Sequence, residues 1–281
     1  MNPIEQFLRI AAILLLALGL TTPLAVAQEG EKEGIGETGT DPRDFADKFM
    51  PYYRYTELEN GLEQQDVVLF GLKAFSPKLA MTYEIPVVRQ VDFRGTPLFD
   101  PGTGTCPTLI DCRPTGVGDM NLRFIYNPDV GFLGGDLLVG AQFDLPTATD
   151  DELGRDTFVV SPLITWVRNL GFWPAPGAFF AAMNFYQVDA FGDDDSDKVQ
   201  QYLGRFFFML PLHPSGIYAL PEIQAIYDFE REHSSLWIGP EVGKLLAPGR
   251  ILYVKPGWGI DPDPLMGDRD FTLEVGFRYF F

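Results

Sequence analysis

Histidine is the side chain most often used as a catalytic base, and the two histidines of this 281-residue chain are therefore the first candidates for that role. His213 precedes Ser215 in a Pro- and Gly-containing stretch, where turn formation explains both residues. His233 precedes Ser234 and Ser235, but no carboxylate that would orient its ring can be assigned from spacing. The sequence contains no Walker loop, dinucleotide motif or zinc signature. We therefore expect no catalytic residues, no cofactor and no enzymatic activity.

Acidic clusters are the second candidates for chemistry. Asp193, Asp195 and Asp197 have the i, i+2, i+4 spacing of a calcium loop, but the Gly and the bidentate Glu that complete such a loop are missing. Residues 150–152 are similarly acidic. Solvated loops explain both clusters, so we expect no metal site. A weaker hypothesis is that the acidic loops bind divalent cations that bridge lipopolysaccharide.

The elements that must position these residues are clearest at the carboxy-terminus. Apolar residues share one parity, namely Phe271, Leu273, Val275, Phe277, Tyr279 and Phe281, and polar or small residues share the other, namely Thr272, Glu274, Gly276 and Arg278. Such alternation predicts a half-buried strand. The stretch looks like the last strand of a bacterial outer-membrane β-barrel, whose final aromatic residue, here Phe281, is read by the insertion machinery. The closing strand of a soluble β-sandwich would give the same local pattern.

The amino-terminus favours the barrel. Residues 1–27 carry Arg9, an apolar run over residues 10–20 and the sequence Ala25-Val26-Ala27, which is the layout of a cleaved signal peptide. The apolar run is shorter than the roughly 20 residues that a spanning helix needs. We expect a mature chain that begins at Gln28, with a polar arm over residues 28–48. This arm is either flexible in the periplasm or folded into the barrel as a partial plug.

Cys106 and Cys112 are the only cysteines. In an exported chain, a pair this close in sequence predicts a disulfide. The alternative is half of a metal site, for which Asp111 is the nearest further ligand.

Between the arm and the last strand, alternating segments follow one another with turn residues between them, as in membrane barrels. The predicted strands are residues 49–58, 63–74, 78–91, 118–128, 134–146, 156–170, 176–190, 198–212, 217–229, 234–246, 250–261 and 268–281. Their connections alternate between short Gly- or Pro-rich turns, including one at residues 129–133, and longer loops that hold the cysteines and the acidic clusters. A soluble sandwich has no reason to sort its loops in this way. The sequence therefore predicts an all-β fold, an antiparallel transmembrane barrel of about twelve strands over residues 49–281.

Parity also predicts which side chains face lipid. Met120, Leu122, Phe124 and Tyr126 point outward in this scheme, as do the alternate residues of later strands. The opposite parity places ten polar residues in the lumen, because a charge facing lipid at mid-bilayer costs about 2–4 kcal/mol: Arg123, Gln142, Asp144, Arg205, Glu222, Gln224, Glu241, Lys255, Glu274 and Arg278. These residues either brace a narrow barrel through ion pairs or line a channel. Leu203, Phe207, Met209 and Trp237 share the inward parity and suit an aromatic or amphipathic solute.

Two short motifs of the chain resemble those of a known protein family. Gly116-Val117-Gly118-Asp119 opens a predicted strand, and Leu145-Pro146-Thr147 ends the next one. In this order they resemble the outer-membrane transporter family linked to the meta-cleavage pathway of phenol degradation, loosely over residues 41–281. The resemblance implies an outer-membrane barrel that moves small, often aromatic or hydrophobic, compounds, and it supplies no binding residues.

The expected function is passive uptake of small solutes across the bacterial outer membrane, with a disulfide-pinned loop narrowing the outer mouth. The alternative is a closed barrel with a structural or surface-binding role. Expected partners are outer-membrane lipid, lipopolysaccharide, the barrel-assembly machinery and a small-molecule solute. The net charge of −18 makes nucleic acid a poor partner.

Overall fold

The computed structural model describes residues 40–96, 106, 112–192, 198–260, 262–263 and 268–281. Within these residues lie one short 3₁₀ helix, Asp151–Leu153, and thirteen strands. The strands are β1 (Lys48–Leu58), β2 (Glu63–Ser76), β3 (Leu79–Asp92), β4 (Thr115–Gly116), β5 (Met120–Phe132), β6 (Gly135–Leu145), β7 (Thr157–Asn169), β8 (Phe179–Gly192), β9 (Gln200–His213), β10 (Ile217–Asp228), β11 (His233–Ala247), β12 (Arg250–Ile260) and β13 (Arg269–Phe280). No helix in the described part of the chain is long and apolar enough to cross a membrane.

Twelve of these strands close into one antiparallel barrel. Consecutive long strands pair with each other around the ring, and the first strand pairs with the last, as Tyr53 with Val275. The two-residue strand β4 pairs only with the loop-end part of β3. The predicted all-β fold of about twelve strands is thus confirmed, and closure leaves no long strand with an unpaired edge.

The predicted turn at residues 129–133 is wrong, because β5 continues through most of it. The ladder between β5 and β6 shifts register between Tyr126 and Val130 and then resumes with Val130 opposite Leu137. Asp129 has a φ of 56° and its N–H donates to the side chain of Asn127 at 2.9 Å. A sequence with turn character therefore forms a bulge inside a strand.

The barrel has two unlike ends. At the turn end, neighbouring strands are joined by residues 77–78, 133–134, 170–178, 214–216 and 248–249. Gly216 and Gly249 have φ values of 82° and 68°, which suit glycine in tight turns. At the loop end lie longer connections, among them the one with the cysteine pair. Bacterial barrels keep short turns in the periplasm, so the turn end is the periplasmic end.

The two faces of the strands differ as the alternation predicts. In β12, Leu252 and Val254 are exposed on the outer surface, while Ile251 and Tyr253 are buried inside. Large exposed apolar side chains recur on the outer face of the other strands, among them Phe124, Tyr126, Val139, Ile164, Phe208, Ile223 and Trp258. The barrel therefore presents an apolar outer surface of the kind that lipid requires.

The interior has an apolar side and a polar side. Inward residues of β5 to β10 near the turn end form a packed apolar cluster that includes Leu138, Val167, Phe179, Phe185 and Met209. The polar side chains line the space that this cluster leaves open, mainly against β1 to β3 and β9 to β13.

Residues 40–48 of the predicted arm are described: residues 40–47 cross the turn end, and Lys48 begins β1. Arg43 donates to Asp136 at 2.8 Å and to Asn169 at 2.7 Å, on β6 and β7, which lie across the ring from β1. Phe45 packs into the apolar cluster. Residues 1–39, which include the predicted signal peptide, lie outside the described residues.

Candidate functional site

A cavity of about 400 Å³ occupies the polar side of the lumen. Its wall runs from Thr40 in the arm, at the turn end, to Arg269, at the loop end. Seven basic and five acidic side chains line it, namely Lys48, Arg54, Arg123, Arg205, Lys255, Arg269 and Arg278 with Asp41, Glu84, Glu222, Glu241 and Glu274. The wall thus carries an excess of positive charge in a chain whose net charge is −18.

Glu222 is the centre of one ion-pair group. Its carboxylate accepts hydrogen bonds from Arg205 at 2.7 Å and from Lys255 at 2.6 Å, one on each oxygen. Gln224 also donates to it at 2.6 Å. Two cations therefore share one buried carboxylate, which is 3% exposed.

Glu241 and Arg278 form a second group nearer the turn end. Arg278 donates to both oxygens of Glu241 at 2.7 Å, in the bidentate geometry that gives the strongest such pairs. Tyr218 donates its hydroxyl to the same carboxylate at 2.7 Å. The guanidinium also stacks on Tyr253, 4.2 Å from the ring centroid, and Tyr253 in turn donates to Glu274 at 2.7 Å.

A third group joins β1, β2 and β3. Asp66 accepts from Arg54 at 3.2 Å and from Arg89 at 2.8 Å. Glu84 accepts from the hydroxyl of Tyr52 at 2.6 Å. These contacts lie on neighbouring strands and brace the side of the cavity opposite the apolar cluster.

Arg123 and Arg269 differ from the other arginines of the wall. Arg123 donates to the amide oxygen of Gln142 at 2.7 and 3.0 Å, and Arg269 donates to the amide oxygen of Gln224 at 2.7 Å. Within the described part of the chain, neither forms a salt bridge with a carboxylate. Their hydrogen-bond partners are therefore neutral amides, and carboxylates act on the two guanidinium groups only from beyond salt-bridge distance.

Trp237 lies beside Arg269 and Lys255. Its indole is 5.0 Å from the guanidinium of Arg269 and 5.4 Å from the ammonium of Lys255, measured to the ring centroid. The ring lies over two glycines, because a Cβ at Gly239 or Gly257 would come within 1.9 or 2.0 Å of it. The indole N–H is buried and finds no acceptor among the described residues.

The structure brings most of the predicted lumen residues together. Eight of the ten line the cavity, and Gln142 and Asp144 lie beside it, where Gln142 contacts both Arg123 and Asp144. Leu203, Phe207 and Trp237 also line the cavity, whereas Met209 belongs to the apolar cluster.

The residues of the wall that the sequence pattern did not single out include Tyr52, Arg54, Glu84, Tyr253 and Arg269. The first four have inward parity, which a full parity reading of β1, β3 and β12 would have found. Arg269 shares the parity of the lipid-facing Phe271. It reaches the lumen through a register shift at Glu57 and Leu58, which parity cannot anticipate.

The two histidines lie at opposite ends of the barrel. At the turn end, His213 Nδ1 and Ser215 Oγ are 2.9 Å apart, and the Ser215 N–H also donates to this nitrogen. At the loop end, Asp268 is the carboxylate that sequence spacing could not assign to His233, with Oδ2 2.9 Å from Nε2. Each site thus holds two members of a possible triad, and no described contact supplies the third.

The cysteine pair forms the predicted disulfide, Cys106–Cys112. Most of the surrounding loop lies outside the described residues, as do Asp111, Asp193, Asp195 and Asp197. The described residues contain no cluster of three or more His, Cys, Asp or Glu side chains that could hold a metal ion.

Phe281 ends the chain at the turn end. Its N–H donates to the carbonyl of Asp47 at 3.1 Å, and its ring lies 4.7 Å from that of Tyr279. The side chain is exposed. Its role as an insertion signal remains a prediction.

Solved outer-membrane barrels share this architecture. An outer-membrane channel from Pseudomonas putida F1 matches over 86% of this chain and 99% of that chain, with 12% sequence identity and a TM-score of 0.61. The NanC porin matches over 84% of this chain and 100% of that chain, with 7% identity and a TM-score of 0.56. No protein-family model matches the chain, and no curated protein matches it. At these identities the similarity shows the fold.

The expectation that the protein has no enzymatic activity is wrong, because the matching structures include enzymes. Outer membrane phospholipase A from Escherichia coli is among the matching structures, with 10% identity, 83% of this chain and 92% of that chain covered, and a TM-score of 0.44. Barrels that match this chain thus include an enzyme, although a similarity at this level assigns no activity to this one.

The closed barrel, its apolar outer surface and the shared fold together place the protein in the outer membrane of a Gram-negative bacterium. The predicted localisation is confirmed on this basis.

Proposed function

We propose that this protein is an outer-membrane channel through which small solutes diffuse passively. The observation that carries the proposal is the cavity whose wall extends from the arm to the loop end and is lined by hydrogen-bonded charged side chains. A barrel that needed only stability would gain as much from apolar packing, since buried ion pairs are weak contributors to stability. The fold shared with a channel and a porin supports the same conclusion.

The solutes we propose are small, and some of them aromatic or hydrophobic. Trp237, Phe207 and Leu203 line the cavity together with the charged groups and could contact an apolar body. The resemblance to the transporter family linked to the meta-cleavage pathway of phenol degradation supports this class of solute. The partners proposed with it are outer-membrane lipid and lipopolysaccharide, and the barrel-assembly machinery that would read Phe281.

The second candidate is a closed barrel with a structural or surface-binding role. The arm favours it, because Arg43 ties residues 40–47 across the turn end and Phe45 packs into the apolar cluster. The two candidates differ in whether the arm shuts the lumen or only narrows it.

Single-channel conductance in a planar bilayer separates the two candidates. The mature protein is compared with a variant that lacks residues 28–47, and with a full-length Arg43→Gln, Phe45→Ala variant in case the deletion prevents folding. We expect discrete conductance steps that grow when the arm is removed or loosened. Silence from all three proteins, each shown to be folded by heat-modifiable gel mobility, would refute the channel and leave the closed barrel.

A further inference from the structure

The loop-end part of the cavity wall holds two arginines that form no salt bridge within the described residues, and one buried indole N–H without an acceptor there. Arg269 and Arg123 are paired with amide oxygens, and the indole N–H of Trp237 has no acceptor among the described residues. A buried donor without an acceptor costs about 1–3 kcal/mol, and a desolvated charge without a counter-charge costs more. Groups held at such a cost are candidates for contact with a ligand.

We propose that this part of the cavity binds the carboxylate of a small organic acid, with Arg269 and the Trp237 N–H as its main donors. The inference rests on the proposed channel function and names the solute class that the channel favours. A carboxylate supplies both of the missing features, since it carries the counter-charge and offers acceptor sites on two oxygens.

The site is held in place by its surroundings. Trp237 lies over Gly239 and Gly257, where no side chain larger than hydrogen would fit beneath the ring. Arg269 stacks on the indole at 5.0 Å and is fixed at its other side by Gln224 at 2.7 Å. A smaller recess of about 10 Å³ on the loop-end side shares Gln224, Trp237 and Arg269 with the main cavity. These three side chains therefore lie between the cavity and the recess.

The remaining charges of the wall favour an anion over a cation. Glu222 already binds Arg205 and Lys255, and Glu241 already binds Arg278 through both oxygens. Glu84 and Glu274 each accept a tyrosine hydroxyl. A cationic solute would compete with the arginine and lysine partners of Glu222 and Glu241, whereas an anion would bring a counter-charge to Arg269 and an acceptor to the indole N–H of Trp237.

The volume and the apolar part of the wall suit a compact body. A cavity of about 400 Å³ is within the range that holds small organic ligands. Phe70, Phe207 and Leu203 also line the cavity and could contact the hydrocarbon part of the acid. An aromatic carboxylate such as benzoate is therefore a suitable probe.

Isothermal titration calorimetry of the mature protein in detergent tests the site, with benzoate as the probe and benzamide as its neutral isostere. We expect the wild type to bind benzoate at least about tenfold more tightly than benzamide, because only benzoate carries the counter-charge. Arg269→Gln should weaken benzoate binding about tenfold and leave benzamide binding unchanged. Trp237→Phe keeps an aromatic ring and removes the N–H, so it should weaken benzoate binding severalfold.

Arg250→Gln is the matched control, because Arg250 lies at the turn end, stacked on Tyr279 and outside the cavity. It should leave benzoate binding unchanged. Equal affinity of the wild type for benzoate and benzamide, no binding of either, or an unaltered benzoate affinity in folded Arg269→Gln and Trp237→Phe variants would overturn the proposal.

The binding experiment and the conductance experiment test the two proposals separately, and either proposal can fail while the other holds. A silent barrel that binds benzoate selectively would refute the channel and keep the carboxylate site. A conducting barrel that does not distinguish benzoate from benzamide would keep the channel and refute the site.

Discussion

The Glu241 carboxylate receives three hydrogen bonds from side chains on two other strands, two from Arg278 and one from Tyr218. Glu241 is 3% exposed, Arg278 8% and Tyr218 0%, so these groups have lost nearly all contact with bulk solvent. Replacing one member of such a group leaves the others desolvated and unpaired. Removing any one member should therefore cost more stability than the loss of its own hydrogen bonds.

Glu241→Gln should therefore lower the free energy of unfolding by about 3–5 kcal/mol, the usual effect of breaking a buried ion pair. Urea titration of the refolded barrel in lipid vesicles measures the change. Glu230→Gln is the control, because Glu230 is exposed at the loop end, and it should change the free energy by less than about 0.5 kcal/mol. Equal stability of the two variants would show that the pair is not energetically important.

Aromatic rings in the lumen are matched by glycines on the next strand. A Cβ at Gly243 would lie 2.3 Å from the ring of Tyr218, and one at Gly276 would lie 2.5 Å from the ring of Tyr253. Trp237 uses Gly257 in the same way. These glycines provide the space that lets large inward rings lie flat on the barrel wall, so a cavity remains beside them.

The arm crosses the turn end and is held there by contacts with several strands. Besides the contacts of Arg43 and Phe45, Asp47 accepts hydrogen bonds from the Lys73 ammonium and from the Ala74 N–H. These two bonds hold the pKa of Asp47 below its usual range. Asp47 therefore stabilises the docked arm at pH values above about 3.9, the pKa of an Asp carboxyl group in an unfolded chain. This stabilisation is lost as the pH falls through the lower pKa that Asp47 has in the docked arm.

Conductance should accordingly rise as the pH is lowered from 5 to about 3, because the two contacts of Asp47 weaken when its carboxylate is protonated. Asp47→Asn should show part of this rise already at pH 7 and a smaller change with pH. Recording single-channel conductance of both proteins over this range tests the idea. An identical pH profile for the two proteins would exclude Asp47 as a contributor to arm docking.

At the scale of the whole molecule, the barrel has two faces suited to different surroundings, with lipid outside and the lumen inside. The outer face is apolar because lipid cannot satisfy polar groups, and closure pairs the backbone of every long strand. The inner face can carry charge because neighbouring side chains in the lumen satisfy it. The net charge of the chain is negative, whereas the cavity wall carries a positive excess.

Val254→Arg and Ile260→Arg test this arrangement. Both residues lie exposed on the outer face of β12, one near the middle of the strand and one at its loop-end terminus. An arginine facing lipid costs about 2–4 kcal/mol at the bilayer midplane and about 0–1 kcal/mol near the interface. Urea unfolding in vesicles should thus show a loss of about 2–4 kcal/mol for Val254→Arg and little for Ile260→Arg. The reverse order of the two losses would contradict the placement of this strand in the membrane.

The sequence by itself determined the strands and their faces. Alternation with a period of two is a local property, so the inward positions of Arg205, Glu222 and Glu241 could be predicted without knowledge of the strand partners. The close sequence spacing of Cys106 and Cys112 predicted the disulfide for the same reason.

Only the tertiary structure decided which of these residues meet. Glu241 pairs with Arg278, 37 residues away, and Arg43 reaches Asp136, 93 residues away. Such contacts depend on how the strands are staggered when the ring closes, and parity carries no information about stagger. A bulge redirects Arg269 into the lumen against its parity, and the fold of the arm across the turn end follows from contacts with distant strands. Local pattern determines the direction of a side chain, but the closed barrel determines its neighbours.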